Sequence, residues 1–178
     1  STASPLKGVH ERLGANFKEY AGWSLPRDSG DGSAEADALS HGCCTFGLSS
    51  FGMIAVKGRD GESLLGRLTQ QRPLPAENAW LWSKIPDAGN EIVIRISKTP
   101  SGYIMFTQPE DRQNILTLIQ RRIEENSLGD AKIADITEKT GMLGVYGPKA
   151  GEVIGKIVPF DISGINEGGV MSMNMFMI

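Results

Sequence analysis

An α/β (α+β) chain of two lobes is what this sequence predicts, and three observations carry the prediction. Hydrophobic periodicity from residue 51 to residue 137 runs strand, helix, three strands, helix, strand. A split βαβ, ferredoxin-like sheet with one added strand solves that order. The segments before residue 50 and after residue 140 remain, and their short apolar runs suit a second, mostly antiparallel sheet lobe. The expected organisation is a discontinuous sheet lobe, 1–50 with 140–178, interrupted by a ferredoxin-like lobe at 51–139.

In chain order, Pro5 opens a helix that ends near Leu13-Gly14, and an extended segment follows through Phe17 and Tyr20. RDSGDGSAEADALSHG (27–42) begins as a polar loop, and Ala34 to Leu39 suit a short helix. FGMIAVKG (51–58) reads as a strand with Met53 and Ala55 on one face and Ile54 and Val56 on the other. Leu64, Leu65 and Leu68 mark one side of a helix in RDGESLLGRLTQQ (59–71). NAWLWSKIP (78–86) alternates Trp80, Trp82 and Lys84 against Leu81, Ser83 and Ile85, as a half-buried strand does. EIVIRIS (91–97) and GYIMFT (102–107) are strands joined across KTPS. PEDRQNILTLIQRRIEENS (109–127) is the strongest helix, with Pro109 and acids at its start and a stripe of Ile115, Leu118, Ile119 and Ile123. AKIADIT (131–137) adds a strand. LGVYGPKAGEVIGKI (143–157) then reads as strand, Gly-Pro turn and helix. The Met-rich tail, Val170 to Ile178, suits a buried strand or an interface.

Composition narrows the function classes. With 40% hydrophobic and 22% charged residues the 178-residue chain is ordinary for a globular protein. Its formal net charge is −3 and its 18 basic residues are scattered, with no basic stripe interleaved with aromatics, so nucleic acid is not an expected partner. No apolar run approaches the roughly 20 residues that a membrane helix needs, and STASPLKG lacks the apolar core of a secretory signal. The expected location is the cytoplasm. Cys43 and Cys44 are adjacent, which suits a reduced pair and neither a disulfide nor a zinc site, so no metal is expected. Ser49-Ser50 lacks a His and acid at any nucleophile-triad spacing, and no GxGxxG follows a strand.

Four blocks, in order, resemble the aminomethyltransferase family of the glycine cleavage T-protein. PLKGVHERLGANFKEYAGWSLP (5–26) is similar to a helix leading into a "FAGWEMP"-like segment. FGLSSFGMIAVKGRDGESLLGRL (46–68) resembles "FDLSHMGKIEVKGPDAEAFLQRL", and GYIMFTQPEDRQNILTLI (102–119) resembles "RYLLVVNAANREKDLAWL". DITEKTGMLGVYGPKAGEVIGKI (135–157) carries the counterpart of "LQGPKA". The likeness covers the first part of a family member about twice as long. It implies a T-protein-like folate-binding fold, tetrahydrofolate as cofactor, and a one-carbon donor as partner. Matched to family positions, Phe51, Arg95, Tyr103 and Gln108 are the implied folate contacts.

Three departures qualify what the resemblance implies. The family's "GYTGE" glutamate, which holds the pterin by a charge-assisted contact, has no counterpart in GGVMSMNMFMI (168–178). Where the family has "GGIIDDLIVYRL", this chain has IPDAGNEIVIRI (85–96), with Gly89 and Asn90 at the acidic positions. Asp87 and Glu91 are the acids that could substitute in the catalytic role, although an Asp-Ala-Gly-Asn surface turn is the simpler and preferred reading of the stretch. Gly47 replaces the "FDLS" acid. The expectation is a truncated aminomethyltransferase-like chain, poorly active alone. The alternative is a non-catalytic folate-binding or assembly subunit, similar to the small T-protein-like subunit of heterotetrameric sarcosine oxidases. In that case a partner subunit or a second copy would engage the C-terminal tail. The "KGCYxGQE"-type motif of the iron–sulfur maintenance relatives is absent.

Overall fold

The structure is a computed structural model, and it describes residues 1–173. Two compact units divide the chain: Ser1–Ser50 with Thr137–Gly164, and Phe51–Ile136 with the chain from Ile165 onward. The first unit begins with β1 (Thr2–Ala3), α1 (Lys7–Arg12), β2 (Asn16–Tyr20), β3 (Trp23–Asp28), α2 (Gly32–His41) and β4 (Cys44–Gly47). The second holds β5 (Gly52–Lys57), α3 (Gly61–Leu68), β6 (Trp80–Asp87), β7 (Asn90–Thr99), β8 (Gly102–Thr107), α4 (Arg112–Asn126) and β9 (Lys132–Asp135). The chain then returns to the first unit with a 3-10 turn at Thr137–Lys139, β10 (Leu143–Tyr146) and α5 (Ala150–Ile157).

The second unit is a five-stranded antiparallel sheet in the order β6-β7-β8-β5-β9. Strands β5, β7, β8 and β9 are the ferredoxin-like set, and β6 is the added edge strand, as the element order predicts. One face is sealed by helices. Ile54, Val56, Ile85, Ile92, Ile94, Ile96, Tyr103 and Met105 meet Leu64, Leu65, Leu68, Ile115, Leu118 and Ile119 of α3 and α4 in a continuous core. Strand β5 sits inside the sheet with both neighbours paired, and five of its six residues are buried. Such a strand reads as a near-continuous apolar run in place of a strict alternation, which is why FGMIAVKG looks apolar on both faces.

The first unit consists of two small sheets. Strands β1-β3-β2 form one, with β1 parallel and β2 antiparallel to β3, and β4 pairs antiparallel with β10 in the other. Asp31 caps α2, its carboxylate accepting from the Ser33 and Ala34 amides at 3.0 Å. Gly147 has φ 122°, and a Cβ there would lie 2.6 Å from the Gly42 carbonyl oxygen. The same carbonyl accepts the Lys149 amide at 2.9 Å, so the turn into α5 requires glycine at this position.

Two details differ from the sequence reading. Helix α4 starts at Arg112, not at Pro109, because residues 108–111 close a turn from the Asp111 amide to the Gln108 carbonyl (3.2 Å). The first turn of the helix consequently carries no acid. Residues 171–173 are exposed and in no strand, and the last five residues of the expected tail strand lie outside the described residues. What pairs instead is the preceding segment: Gly169 bridges Ala79, and the Val170 amide donates to Asn78 at 2.7 Å. Among the described residues no helix is long and apolar enough to cross a membrane.

The core makes a direct prediction. Conversion of Ile54, fully buried in the inner strand β5, to Ala should cost about 2–5 kcal/mol of urea-measured stability. Val93→Ala, on the other face and half exposed, should cost less than about 1 kcal/mol.

Candidate functional site

The face of the five-stranded sheet opposite α3 and α4 carries most of the polar and aromatic chemistry. Register puts Trp82, Arg95, Phe106 and Met53 side by side across four strands, so their side chains share this face. The Arg95 guanidinium lies 4.4 Å from the Phe106 ring centroid and 5.1 Å from that of Trp80. Trp80, one pair further along β6, reaches it diagonally. Trp80 and Trp82 meet edge to face at 5.6 Å, and Trp82 remains 65% exposed. The result is a planar cation between two aromatic rings, a stack that Lys could not reproduce.

Strand alternation places Lys84, Glu91 and Val93 on the same face. The Glu91 carboxylate accepts from Lys84 Nζ at 2.6 Å and from the Arg72 guanidinium. Those two cations, Lys84 first, hold its carboxyl below the usual carboxylate range. Glu91 is four residues from Arg95 along β7, roughly 14 Å at the rise of an extended strand. Asp87 ends β6, and its carboxylate accepts from Asn114 Nδ2 of α4 at 2.8 Å. Between Asp87 and Asn90 the connection is two residues, Ala88 and Gly89, both at positive φ (46° and 88°). This is the tight turn that matches the twist of the paired strands, and it explains why the loop is short.

The implied folate contacts divide between the two faces. Phe51 precedes β5 and Gln108 follows β8. Continuing the Gly52↔Thr107 register brings them together at one end of the open face, on the Arg95 side. Phe51 is half buried and Gln108 exposed. Tyr103 lies on the opposite, helix-covered face: it is 6% exposed, donates its hydroxyl to Glu62 at 3.0 Å, and has Lys98 Nζ 3.9 Å from its ring centroid. Trp80, Trp82 and Phe106 were not singled out as site residues by sequence, although the alternation WLW was itself the signal.

Gly47 also has a packing reason. A Cβ there would come within 3.2 Å of His10 Nε2 and 3.4 Å of Pro26 Cγ, so a side chain at this position needs both neighbours to give way. Among the described residues no group of three or more His, Cys, Asp or Glu is placed to hold a metal ion. Cys43 and Cys44 are free thiols.

One chain thus joins a ferredoxin-like α/β unit with an aromatic–guanidinium face to a unit of small sheets. The chain belongs to the GCVT N-terminal domain family, which it matches over residues 6–175. It is 30% identical over 159 residues to the probable aminomethyltransferase of Halobacterium salinarum (strain ATCC 29341 / DSM 671 / R1), covering 85% of this chain and 43% of that protein. To the aminomethyltransferase of Geobacillus kaustophilus (strain HTA426) it is 23% identical over 167 residues, 91% of this chain and 44% of the relative. The fold is that of the glycine cleavage system aminomethyltransferase T of Bartonella henselae, with a TM-score of 0.76 at 20% identity, over 87% of this chain and 43% of the other. The chain thus spans less than half the length of the relatives it matches.

The Glu91 cluster yields a pH prediction. A carboxyl whose pKa is lowered by folding stabilises the fold above its ordinary value, here 4.5, and that stabilisation disappears as the pH falls through the lowered value. Glu91→Gln should therefore lower the urea midpoint at neutral pH. The gap to the unsubstituted protein should close below pH 4.5; a gap that persists unchanged into acid would contradict the assignment.

Proposed function

We propose that this chain is the folate-facing portion of a tetrahydrofolate-dependent one-carbon transfer assembly, and that by itself it binds better than it catalyses. One observation carries the second half of the reading. Both acids near the altered loop already have structural partners, Asp87 in Asn114 and Glu91 in Lys84 and Arg72. A carboxylate that assists aminomethyl transfer must be positioned to meet the proton and the positive charge that develop on the substrate. Glu91 is already paired with two cations, and its lowered pKa makes it a weaker base.

The open face supports the first half. Tetrahydrofolate, when bound, supplies the amine nitrogens that accept the one-carbon unit, and its ring system is flat with polar edges. Phe51 and the Arg95 stack offer planar surface to such a group, and the exposed Gln108 amide offers both a donor and an acceptor. Tyr103, buried under the helices and bonded to Glu62, lies on the other face of the sheet from that surface. The relatives' printed activity, aminomethyltransferase, together with the family match supports this reaction class as the reading for this chain.

Calorimetric titration of the purified chain with tetrahydrofolate tests both halves. Binding in the micromolar range should weaken about tenfold in Gln108→Ala, the loss of one good hydrogen bond. Glu91→Ala should change stability more than affinity. Absence of any binding heat would sink the folate reading. Measurable turnover by the chain alone, with an aminomethyl donor supplied, would sink the claim that its acids are committed elsewhere.

A further inference from the structure

The segment that leaves α3 departs from what stability alone favours. The helix ends in a Schellman-type turn: Thr69 caps it, Gln70 turns left-handed, and the Gln71 amide donates to the Gly66 carbonyl at 2.6 Å. Glycine takes such a position without strain, yet Gln70 (φ 53°) and then Gln71 (φ 63°) are both left-handed. Only the first is needed to end the helix. Gly66 is the second departure, because a glycine inside a helix is less stable there than alanine. A Cβ on Gly66 would stand 3.2 Å from Gln71 Oε1 and 3.5 Å from Nε2, so the bare backbone makes room for the Gln71 carboxamide.

Both departures meet at one place. The chain turns back against the outer side of α3 and borders a cavity of about 610 Å³, to which Ser63, Gly66, Arg67, Gln71 and Arg72 contribute. The cavity lies within the second unit, and Tyr103 brings the helix-covered side of the sheet to it. Its chemistry is cationic and hydrogen-bonding. Among the described residues neither the Arg67 guanidinium nor the Gln71 carboxamide has an ion-pair or hydrogen-bond partner. Arg72 pairs with Glu91, which is outside the lining. The one acid in the lining, Glu62, is occupied by the Tyr103 hydroxyl at 3.0 Å. Ser63 precedes Arg67 by four residues and therefore shares its side of the helix. A guanidinium fork, an amide and a hydroxyl are donors that phosphate and carboxylate oxygens accept.

We infer that this cavity binds a small hydrophilic oxyanion, a phosphate or carboxylate group on a hydroxylated body. Arg67 is its charged anchor, and Gln71 and Ser63 supply hydrogen bonds. Strained backbone and a helix-interior glycine that the core does not require, gathered around unpaired donors at a cavity, are what set this place apart from an ordinary solvated helix face. The site shares no residue with the Phe51, Arg95 and Gln108 surface assigned to folate, and it stands or falls without that reading.

Nuclear magnetic resonance titration of the isotope-labelled full chain tests this. Inorganic phosphate, glycerol phosphate and citrate are the separate ligands, with sodium chloride at matched ionic strength as reference. The expected result is saturable shifts at the Arg67, Gln71 and Arg72 amides with at least one of the three, and their order of affinity tells phosphate from carboxylate. Arg67→Gln should weaken that binding about tenfold, the loss of one charge-assisted contact, with the rest of the spectrum unchanged. Arg121→Gln, which removes a cation from the exposed side of α4, should leave it as it is. Gly66→Ala, which crowds the Gln71 carboxamide, should weaken it as well. Shifts that never saturate, equal shifts with chloride, or undiminished binding in Arg67→Gln would overturn the inference.

Discussion

Strand β5 is the member on which the second unit depends, and its demands explain much of the surrounding sequence. It pairs with β8 on one side and β9 on the other, and each pairing is antiparallel. A strand with both edges taken and one face under helices has little room for polar side chains. Lys57, at its end, is the one residue that escapes. Ile54 and Val56 project into the α3–α4 core while Met53 and Ala55 project into the opposite face, and all four are buried. Because β5 fixes the register of β8, and β8 that of β7, the row Met53, Phe106, Arg95, Trp82 is a consequence of this one strand's position. A slip of one residue would turn Arg95 into the core and Ile94 out of it.

The electrostatics of the open face follow from the same ladder. Lys84 and Glu91 lie on the two strands of one hairpin, one pair apart diagonally, and Arg72 reaches them from the segment after α3. All three groups are partly exposed, so the cluster is a modest stabiliser whose main effect is to keep Glu91 ionised. The tight Ala88–Gly89 turn accounts for the rest. A two-residue connection leaves no loop to carry a mobile carboxylate, and the acids at its flanks are taken by the nearest cation pair and amide. The departure from the family's longer acidic stretch is therefore a change in backbone geometry as well as in residue type.

The sequence disclosed the second unit far better than the first, for a physical reason. Strands β6 to β8 and helices α3 and α4 bury mainly one face each, and burial is what imprints periodicity on a sequence. The alternation of Trp80, Trp82 and Lys84 against Leu81, Ser83 and Ile85 is the sheet's two faces written out. The start of α4 was misplaced because Pro109 and Glu110 are good first-turn residues, and only the 108–111 turn displaces the helix to Arg112. Site residues were harder to read. Arg95 and Tyr103 are equally plausible in sequence, but whether a side chain falls on the open or the covered face depends on register, and register is a pairwise property. Tyr103 falls in the core row with Val56 and Lys98, which no single-strand pattern discloses.

The first unit shows the converse. Its elements form where local signals are strong: an Asp cap for α2, a glycine at φ 122° for the turn into α5, and a short β-ribbon between β4 and β10. What is lacking is burial, since Trp23 by itself supplies little of the area that offsets the entropy of ordering some 78 residues. Amphipathic α5, with Val153 and Ile154 half covered and Ile157 open, has the pattern of a helix that packs on something. Sequence pattern and exposed surface therefore point the same way. The unit's own elements cover Val153 and Ile154 only in part and leave Ile157 open.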